Sequence, residues 1–564
     1  MTSFSFRPRL LDALKGYTHK QLTTDLMAGV IVGIVALPLA IAFGVASGVS
    51  PEIGLLTAII GGFIVSALGG SSVQIGGPTG AFIVIVYGVI QQYGISGLLI
   101  STFLAGILLV LMGALRLGSL IKFIPYPIIV GFTAGIALTI FSTQVNDLLG
   151  LGIESMPADF FGKWSALLSS LGDIHPLTAL IGLGSIIVIV LTPRMTKVIP
   201  GSLVAIVLMT LLAYVLKSHL SVEGIQTIGD RFTISGEWPP IVFPELSLES
   251  IRTLAAPTFT IAMLGAIESL LSASVADGVI GERHDSNTEL IAQGLANMVV
   301  PFLGGIPVTG AIARTMTNIN NGGRTPISGI VHTVTLLLIF LFLMPLTAYI
   351  PMACLSGVLV VVSYNMSGWR SIKAQGKGPR GDLMVLWLTL ILTVVFDLTI
   401  AIEIGLLLSM LFFMRRMVET TRIFVSRDEL DLLAERDDQG NAQQTLSLPH
   451  GVEVYEIEGP FFFGIANRFE EMIASVAKPP KVRIIRMRSV PFIDSTAANN
   501  LAILCRNSED EGVRIILSGV NDRVYRTLAR VGLLSKIGAG YVCRDIHAAL
   551  EVAERYLQGE QARL

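Results

Sequence analysis

The chain has 564 residues, of which 52% are hydrophobic and 14% are charged, against roughly 25% charged residues in an ordinary soluble domain. This composition excludes a disordered chain and a small disulfide-stabilised fold, and it argues against a purely soluble enzyme. The formal net charge of −2 gives no support for a nucleic-acid partner.

The charged residues divide the chain into two unequal parts. Residues 27–416 contain 35 charged residues in 390, whereas residues 417–564 contain 39 in 148. The first part is therefore predicted to be a membrane domain that follows a cytoplasmic segment at 1–26. The second part is predicted to be a linker at 417–447 and a soluble domain at 448–564.

Apolar runs between Gly, Pro and charged residues predict about fourteen membrane segments. A helix needs about 20 residues to cross a bilayer, so the third and the tenth runs are too short to cross as helices. The predicted segments are 27–46, 53–69, 79–92, 97–115, 124–145, 175–193, 199–216, 255–277, 288–304, 308–320, 326–347, 350–366, 381–396 and 399–414.

Lysine and arginine placement predicts which side of the membrane each loop faces. With a cytoplasmic N-terminus, twelve Lys or Arg residues lie in the inside loops and four lie in the outside loops. This bias supports an even number of spans, and it places the soluble C-terminal domain in the cytoplasm.

Weak internal similarity divides the membrane part into two repeats, at about 27–216 and 255–416. Residues 45–52 resemble residues 275–282, and a Gly/Pro-rich stretch precedes the short segment in each half. Seven spans in each repeat is an odd number, so the second repeat is predicted to be inverted in the membrane. Inverted repeats with short, broken segments are typical of secondary transporters. The alternative is that Gly and Pro are simply common in membrane helices.

The two short segments favour an anion site. Thr79 and Thr309 are predicted to cap two half-helices, whose N–H groups and positive dipole ends would face one another near mid-membrane. Small residues at both starts leave room for the backbone to approach an anion closely. These residues are Gly80, Ala81, Gly310 and Ala311.

Two charged residues within predicted spans are candidates for the site. Arg314 lies on the second half-helix and is predicted to form a cationic wall or, alternatively, a salt bridge with Glu268. Glu268 lies in the eighth span, at the position that matches Pro38 of the first repeat, and Ser272 is one turn further along the same face. We expect Glu268 and Ser272 to couple transport to an ion, and the alternative for Glu268 is a packing hydrogen bond.

The sequence shows no pattern for a metal, a cofactor or nucleophilic catalysis. Cys354, Cys505 and Cys543 are scattered and form no CxxC motif. No nucleophile and base occur in a catalytic arrangement. We therefore expect neither a disulfide core nor a metal site, no cofactor, and no enzymatic activity.

Several motifs together resemble the SulP (sulfate permease) anion transporter family, over nearly the whole chain. The resemblance implies an α-helical polytopic membrane protein with a seven-plus-seven inverted repeat of the uracil-permease type, in which a core domain moves against a gate domain. It also implies a homodimer. The motifs are Asp25–Val30, Leu37–Ala40, Gly77–Gly80, Ile124–Pro125, Gly131–Ile136, Asn287–Gly294 and Asn318–Thr325.

The resemblance places the substrate between the third and tenth spans. It implies that Leu39 and Phe43 on the first span line the pocket, and Ala313 and Arg314 fall where many animal members have Ser and Arg. The predicted substrate contacts are Leu39, Phe43, Thr79, Gly80, Ala81, Gly310, Ala311, Ile312, Ala313 and Arg314.

Two residues bear on the substrate and the coupling ion. Cyanobacterial bicarbonate members of the family have Gly at the position of Arg314 and Asp at that of Glu268. The resemblance therefore favours the bacterial branches associated with proton-coupled sulfate or C4-dicarboxylate uptake across the inner membrane. Sodium-coupled bicarbonate transport, anion exchange and a passive anion channel stay as alternatives.

The C-terminal part has the pattern of an α/β domain. Predicted strands at 452–457, 482–487 and 514–518 alternate with helices. The Asp494–Thr496 turn resembles the STAS (sulfate transporter and anti-sigma factor antagonist) domain, in which the position of Ser495 can be phosphorylated. The favoured alternative is that Asp494 or Ser495 only caps the following helix. A cytoplasmic protein partner of this domain is left open.

Overall fold

The chain forms two units, residues 1–409 and 410–564. The computed structural model describes residues 6–119, 125–153, 156–157, 159–195, 200–219, 224–234, 236, 238–244, 247–396, 398–430, 446–474 and 479–559. Among these residues, nine helices are long and apolar enough to cross a membrane. The count of fourteen spans stays a prediction.

Up to residue 253, the described residues form ten helices, the last two of them short, and one very short strand. In chain order they are α1 (Arg9–Ala13), α2 (His19–Ala46), α3 (Pro51–Leu68), β1 (Gly76–Gly77), α4 (Gly80–Ala114), α5 (Tyr126–Leu149), α6 (Phe160–Ser169), α7 (Pro176–Met195), α8 (Gly201–His219), α9 (Ile228–Arg231) and α10 (Leu248–Thr253).

The second half begins with the same order of elements, since two helices, a short strand and a helix follow one another in both halves. Its elements are α11 (Ala255–Ile280), α12 (Ser286–Val299), β2 (Thr309–Gly310), α13 (Ile312–Asn320), α14 (Pro326–Leu343), α15 (Met352–Met366), α16 (Trp369–Gln375), α17 (Arg380–Val395) and α18 (Leu398–Thr420).

Local sequence explains where several of these helices begin and bend. Ser50 accepts a hydrogen bond from the N–H of Ile53 at the start of α3, and Pro51 occupies its first position. The range of α4 contains two helices joined at Gly94, which lies between the predicted third and fourth segments. This glycine has φ of +70°, a conformation that residues with a Cβ atom rarely adopt.

The helices of the first unit pack as two bundles. The first bundle contains α2, α3, α4, α11, α12, α13 and α14, and the second contains α5, α7, α8, α15 and α17. Large apolar side chains such as Leu180, Val207 and Leu211 are exposed on the second bundle. Exposed apolar residues in such numbers fit contact with lipid rather than water.

The second unit contains a five-stranded sheet with the order β3-β6-β7-β8-β9. β6, β7, β8 and β9 are parallel, and β3 pairs with β6 in the antiparallel direction. The strands, including a separate β4–β5 pair, are β3 (Arg422–Ser426), β4 (Glu429–Leu430), β5 (Leu446–Ser447), β6 (Val452–Glu458), β7 (Val482–Arg486), β8 (Arg514–Ser518) and β9 (Val542–Cys543).

Helices cover both faces of this sheet. The helices α19 to α22 share one apolar core, whereas α23 packs over the other face. The helices are α19 (Phe463–Ala474), α20 (Ser495–Asp510), α21 (Asp522–Arg530), α22 (Leu533–Ile537) and α23 (Ile546–Leu557). The α/β sheet predicted from alternating strand and helix patterns is therefore present, and β3 lies within the range that the sequence assigned to the linker.

The turn before α20 is capped by Asp494, one of the two residues predicted for that role. Its carboxylate accepts a hydrogen bond from the N–H of Ala497 at 2.7 Å and another from the N–H of Phe463 at 3.1 Å. Asp494 thereby joins the starts of α19 and α20. Ser495 is exposed at the first position of α20, and its phosphorylation stays a prediction.

Candidate functional site

The two Gly/Pro-rich stretches meet inside the first bundle. β1 and β2 pair in the antiparallel direction, with Gly76 opposite Gly310 and Gly77 opposite Thr309. Each strand has only two residues, so most backbone groups around the pair need other partners. Within a membrane, non-helical backbone is tolerated only where such partners are available inside the protein.

Polar side chains from α3 and α12 supply partners for the stretch before β2. The amide of Asn297 accepts from the N–H of Val308 and donates to its carbonyl, both at 2.8 Å. The hydroxyl of Thr57 accepts from the N–H of Ile306 at 3.1 Å. Both side chains are buried, and they provide the hydrogen bonds that a neighbouring strand would otherwise provide.

The stretch before β1 is held by residues at the start of α13 and within it, in the second half of the membrane domain. Thr315 accepts from the N–H of Ile75 at 3.1 Å, and Asn318 donates to the carbonyl of Val73 at 2.9 Å. The N–H of Ala311 also donates to the carbonyl of Ile75 at 2.9 Å. Each half of the membrane domain therefore supplies hydrogen bonds that the other half requires.

Glu289 on α12 is a further support that sequence reasoning did not select. Its fully buried carboxylate accepts from the N–H groups of Gly70 and Ser71 and from the side chains of Gln74 and Gln293, at 2.8 to 3.2 Å. The signal was an acidic residue within a predicted span, inside a family motif. Three of these donors, Gly70, Ser71 and Gln74, lie in the stretch immediately before β1.

The predicted threonine caps are wrong. Thr79 stands at the N-cap position of α4, but its hydroxyl donates to Glu268 Oε2 at 2.8 Å and makes no capping bond. α13 starts later than predicted, with Ala311 at the N-cap position. Pairing with β1 keeps Thr309 extended, and its hydroxyl donates to the carbonyl of Gly265 at 3.0 Å. Acceptors on α11 therefore attract both hydroxyls.

The starts of α4 and α13 lie within three residues of the same strand pair. The first N–H groups of a helix have no intrahelical acceptor, and they carry the positive end of the helix dipole. At α4 these groups belong to Gly80 and Ala81, and at α13 to Ile312 and Ala313. The side chains of Ile312 and Ala313 are exposed, whereas Ala311 is buried. This arrangement suits a small anion.

Glu268 and Arg314 take different places around this arrangement. Glu268 is partly buried beside Thr79, whereas Arg314 is only 1% exposed. Arg314 Nη2 donates to the carbonyl of Pro78. The structure has no ion pair between Glu268 and Arg314, both of which it describes. In this structure the guanidinium is directed to the backbone before α4 instead.

Gly77 leaves the space that the guanidinium of Arg314 occupies. A Cβ atom at this position would overlap Arg314 Nη1, and the residue has φ of +148°. Ser272, the second predicted coupling residue, is 1% exposed and donates to the hydroxyl of Thr315 at 3.4 Å. Ser272 therefore lies next to Thr315, which supports the stretch before β1. None of its described hydrogen bonds involves Glu268.

The predicted pocket residues on α2 lie beside the start of α4. The ring of Phe43 is 3.5 Å from the position that a Cβ of Gly80 would occupy, and Ile140 of α5 is 3.6 Å from it. Leu39, one turn before Phe43, lines a cleft of about 350 Å³ whose other lining residues lie on α7, α8 and α15 of the second bundle. Sequence reasoning missed Ile140 because nothing distinguishes it from other aliphatic residues in the membrane part.

Comparisons with known proteins give consistent results over nearly the whole chain. Residues 22–389 match the sulfate permease family, and residues 445–553 match the STAS domain. YvdB of Bacillus subtilis, provisionally named a sulfate transporter, is 41% identical over 94% of this chain and 97% of that protein. The bicarbonate transporter BicA of Picosynechococcus is 30% identical over 91% of each.

Two solved structures are also similar. The transmembrane domain of a cyanobacterium bicarbonate transporter BicA matches with a TM-score of 0.62 at 30% identity, over 68% of this chain and 98% of that one. The overall structure of SLC26A9 matches with a TM-score of 0.85 at 18% identity, over 98% of this chain and 94% of that one. At that identity the second likeness shows the fold alone.

We predict that Gly77→Ala prevents normal assembly of the strand pair. The new methyl group would displace the Arg314 guanidinium, and the backbone strain alone costs about 1–3 kcal/mol. The expected result is a lower yield of monodisperse protein in detergent and a lower unfolding temperature. Gly88→Ala in α4 is the matched control, because its Cβ would meet no atom within 4 Å. Equal stability of the two variants would contradict this account of Gly77.

Proposed function

Because the chain belongs to the sulfate permease family, we propose that it is a secondary active transporter that takes up small anions, sulfate or C4-dicarboxylates, together with protons. The resemblance of its motifs is confirmed for the family, the helical membrane fold and the C-terminal STAS domain. The family and the structural neighbours are transporters, so the prediction that the chain is not an enzyme is also confirmed.

The observation that carries the proposal is the pair of helix starts at the β1–β2 pair. α4 and α13 begin beside one another, and Leu39, one turn from the Phe43 that approaches the α4 start, borders a cleft in the second bundle. In the proposed mechanism the anion binds to the N–H groups at both starts. The first bundle then moves against the second, and the anion is released on the other side of the membrane.

Glu268 is proposed to carry the coupled proton. Its carboxyl group is partly buried and accepts a hydrogen bond from the hydroxyl of Thr79, the residue immediately before α4. Protonation would remove a negative charge close to the position of the anion, so proton and anion would favour binding of each other. Ser272 would act from one turn away, through Thr315 and the support of β1.

Arg314 is proposed to attract the anion from behind the broken segments. Its guanidinium binds the carbonyl of Pro78 and is shielded from solvent. A buried charge acts over a longer distance than an exposed one, because little solvent screens it. In this proposal Arg314 attracts the anion through its charge, from behind the Pro78 backbone, without contacting it.

The proposal extends to the assembly and its setting. The chain is a membrane protein, and we place it in a bacterial inner membrane with both termini in the cytoplasm, following the bias of lysine and arginine. A homodimer and a cytoplasmic partner of the STAS domain follow from the family resemblance. The described residues include no group of three or more possible metal ligands.

Sodium-coupled bicarbonate transport is the second candidate, and similarity to BicA over 91% of the chain favours it. Uptake by purified protein in liposomes separates the candidates. Labelled sulfate, succinate and bicarbonate are compared under a proton gradient, a sodium gradient and neither. We expect proton-stimulated uptake of sulfate or succinate. Sodium-stimulated bicarbonate uptake would favour the second candidate, whereas flux that follows voltage alone would indicate a channel.

We predict that Glu268→Gln abolishes stimulation by a proton gradient. The amide cannot bind and release a proton at neutral pH, but its carbonyl still accepts the hydroxyl of Thr79. Uptake is measured in liposomes with and without a pH gradient. Glu52→Gln is the control, since Glu52 accepts from the N–H of Gly236 away from α4. Undiminished pH-stimulated uptake by Glu268→Gln would remove the coupling role.

We predict that Arg314→Lys retains more uptake than Arg314→Ala. Lysine keeps the positive charge, whereas alanine removes it and leaves the carbonyl of Pro78 without this partner. Initial uptake rates of the two variants should differ by about tenfold, which corresponds to about 1.4 kcal/mol. Both rates are normalised to the protein inserted in the liposomes. Equal rates would show that the charge of Arg314 does not attract the anion.

A further inference from the structure

A methionine from the second bundle covers the start of α4. The Sδ atom of Met366, the last residue of α15, lies 2.9 Å from the position that a Cβ of Gly80 would occupy. The ring of Phe43 approaches the same point from α2, on the first bundle. Together with Ile140 of α5, these apolar side chains from both bundles meet over the first residue of the half-helix.

A cleft is lined by residues of α2 and α15, the two helices that carry Phe43 and Met366. Leu39 of the first bundle borders it, whereas Val362, Asn365, Pro193 and Ser202 belong to the second bundle. Most of this lining is apolar, while the amide of Asn365 and the hydroxyl of Ser202 add polar groups. An anion that leaves the helix starts through the cleft would pass between these two walls.

Helix geometry relates the cleft to the covering pair. Phe43 lies four residues after Leu39 on α2, and Met366 lies four residues after Val362 on α15. Residues four apart share a helix face, about one turn from each other. The residues that line the cleft are thus followed, one turn on, by the two residues that contact the α4 start. Phe43 and Met366 are thus each one helical turn from a residue that lines the cleft.

We infer that Met366 sets the size of the anion accepted at the α4 start and closes the site from the cleft. This inference rests on the proposed transport function. A methionine suits the role, because its unbranched thioether side chain changes rotamer easily and fits against different shapes. When the bundles separate, Met366 moves away with α15 while Phe43 stays with α4. The start of α4 then opens to the cleft.

The first experiment compares anions of different size. Met366→Ala should raise the ratio of succinate to sulfate uptake in liposomes by about tenfold, the low end of the discrimination that one or two methylene groups give in an apolar pocket. Met366→Leu preserves the apolar volume and should keep the ratio of the unmodified protein. An unchanged ratio in Met366→Ala, with normal insertion, would overturn the inference.

A double substitution tests the contact itself. Gly80→Ala places a methyl group against Met366 Sδ and should lower the uptake rate. Adding Met366→Ala removes that conflict and should restore most of the rate. Failure of the second substitution to restore uptake, where Gly80→Ala alone inserts normally, would show that Met366 does not control this position.

Thiol labelling gives a readout that does not depend on transport. N-ethylmaleimide is applied to Met366→Cys and to Val362→Cys, and modification is followed by mass. The native thiols give little background, since Cys354, Cys505 and Cys543 are buried, and burial raises the pKa of the Cys505 thiol to about 12. Saturating sulfate should slow modification of Met366→Cys much more than that of Val362→Cys. Equal rates with and without sulfate would contradict the closing role.

The results separate this inference from the proposed function. If the unmodified protein takes up none of the three anions, the proposed function fails. If it transports anions but the Met366 variants keep its uptake ratio and its labelling is insensitive to sulfate, only the inference on Met366 fails.

Discussion

The structure of the membrane domain depends on how two non-helical stretches satisfy their backbone hydrogen bonds. A lipid environment offers no water for unpaired N–H and C=O groups, so these groups require partners within the protein. The β1–β2 pair provides a few, and buried polar side chains provide the others. Asn297 replaces a strand partner for Val308, and Glu289 collects the donors that lead into β1. The polar residues in this apolar bundle are therefore mostly structural.

This constraint also creates the candidate site. Because the strand pair and its supporting side chains occupy the other backbone groups, the first N–H groups of α4 and α13 stay available for a ligand. Two antiparallel strands hold these two helix starts close together. The charged groups are arranged around them, with Glu268 bound to Thr79 in front of α4 and Arg314 bound to Pro78 behind it. Assembly and the proposed site thus meet at Arg314, which binds the backbone before α4 and occupies the space left by Gly77.

The division into two bundles supplies the other requirement of a transporter, which is a surface that can move. The broken helices belong to the first bundle, whereas the cleft is lined mainly by the second. At the start of α4 the two bundles meet through apolar side chains, with Met366 and Ile140 of the second bundle near Gly80 and Phe43 of the first. Apolar contacts have little directional preference, so they can separate and form again more easily than a hydrogen-bonded network. The STAS domain adds an α/β sheet whose strands and capped helix α20 follow directly from local sequence.

The sequence by itself determined the features that depend on composition and on neighbouring residues. The scarcity of charge identified the membrane part, alternating patterns identified the α/β domain, and Gly/Pro-rich stretches located the breaks before α4 and α13. Asp494 was one of two residues named as the cap of α20. Only the tertiary structure decided the partners of individual side chains. Thr79 and Thr309 bind α11 instead of capping, Arg314 binds Pro78 instead of Glu268, and Met366 meets Gly80. These choices join residues far apart in the chain, and a local pattern carries no information about which buried acceptor is nearest.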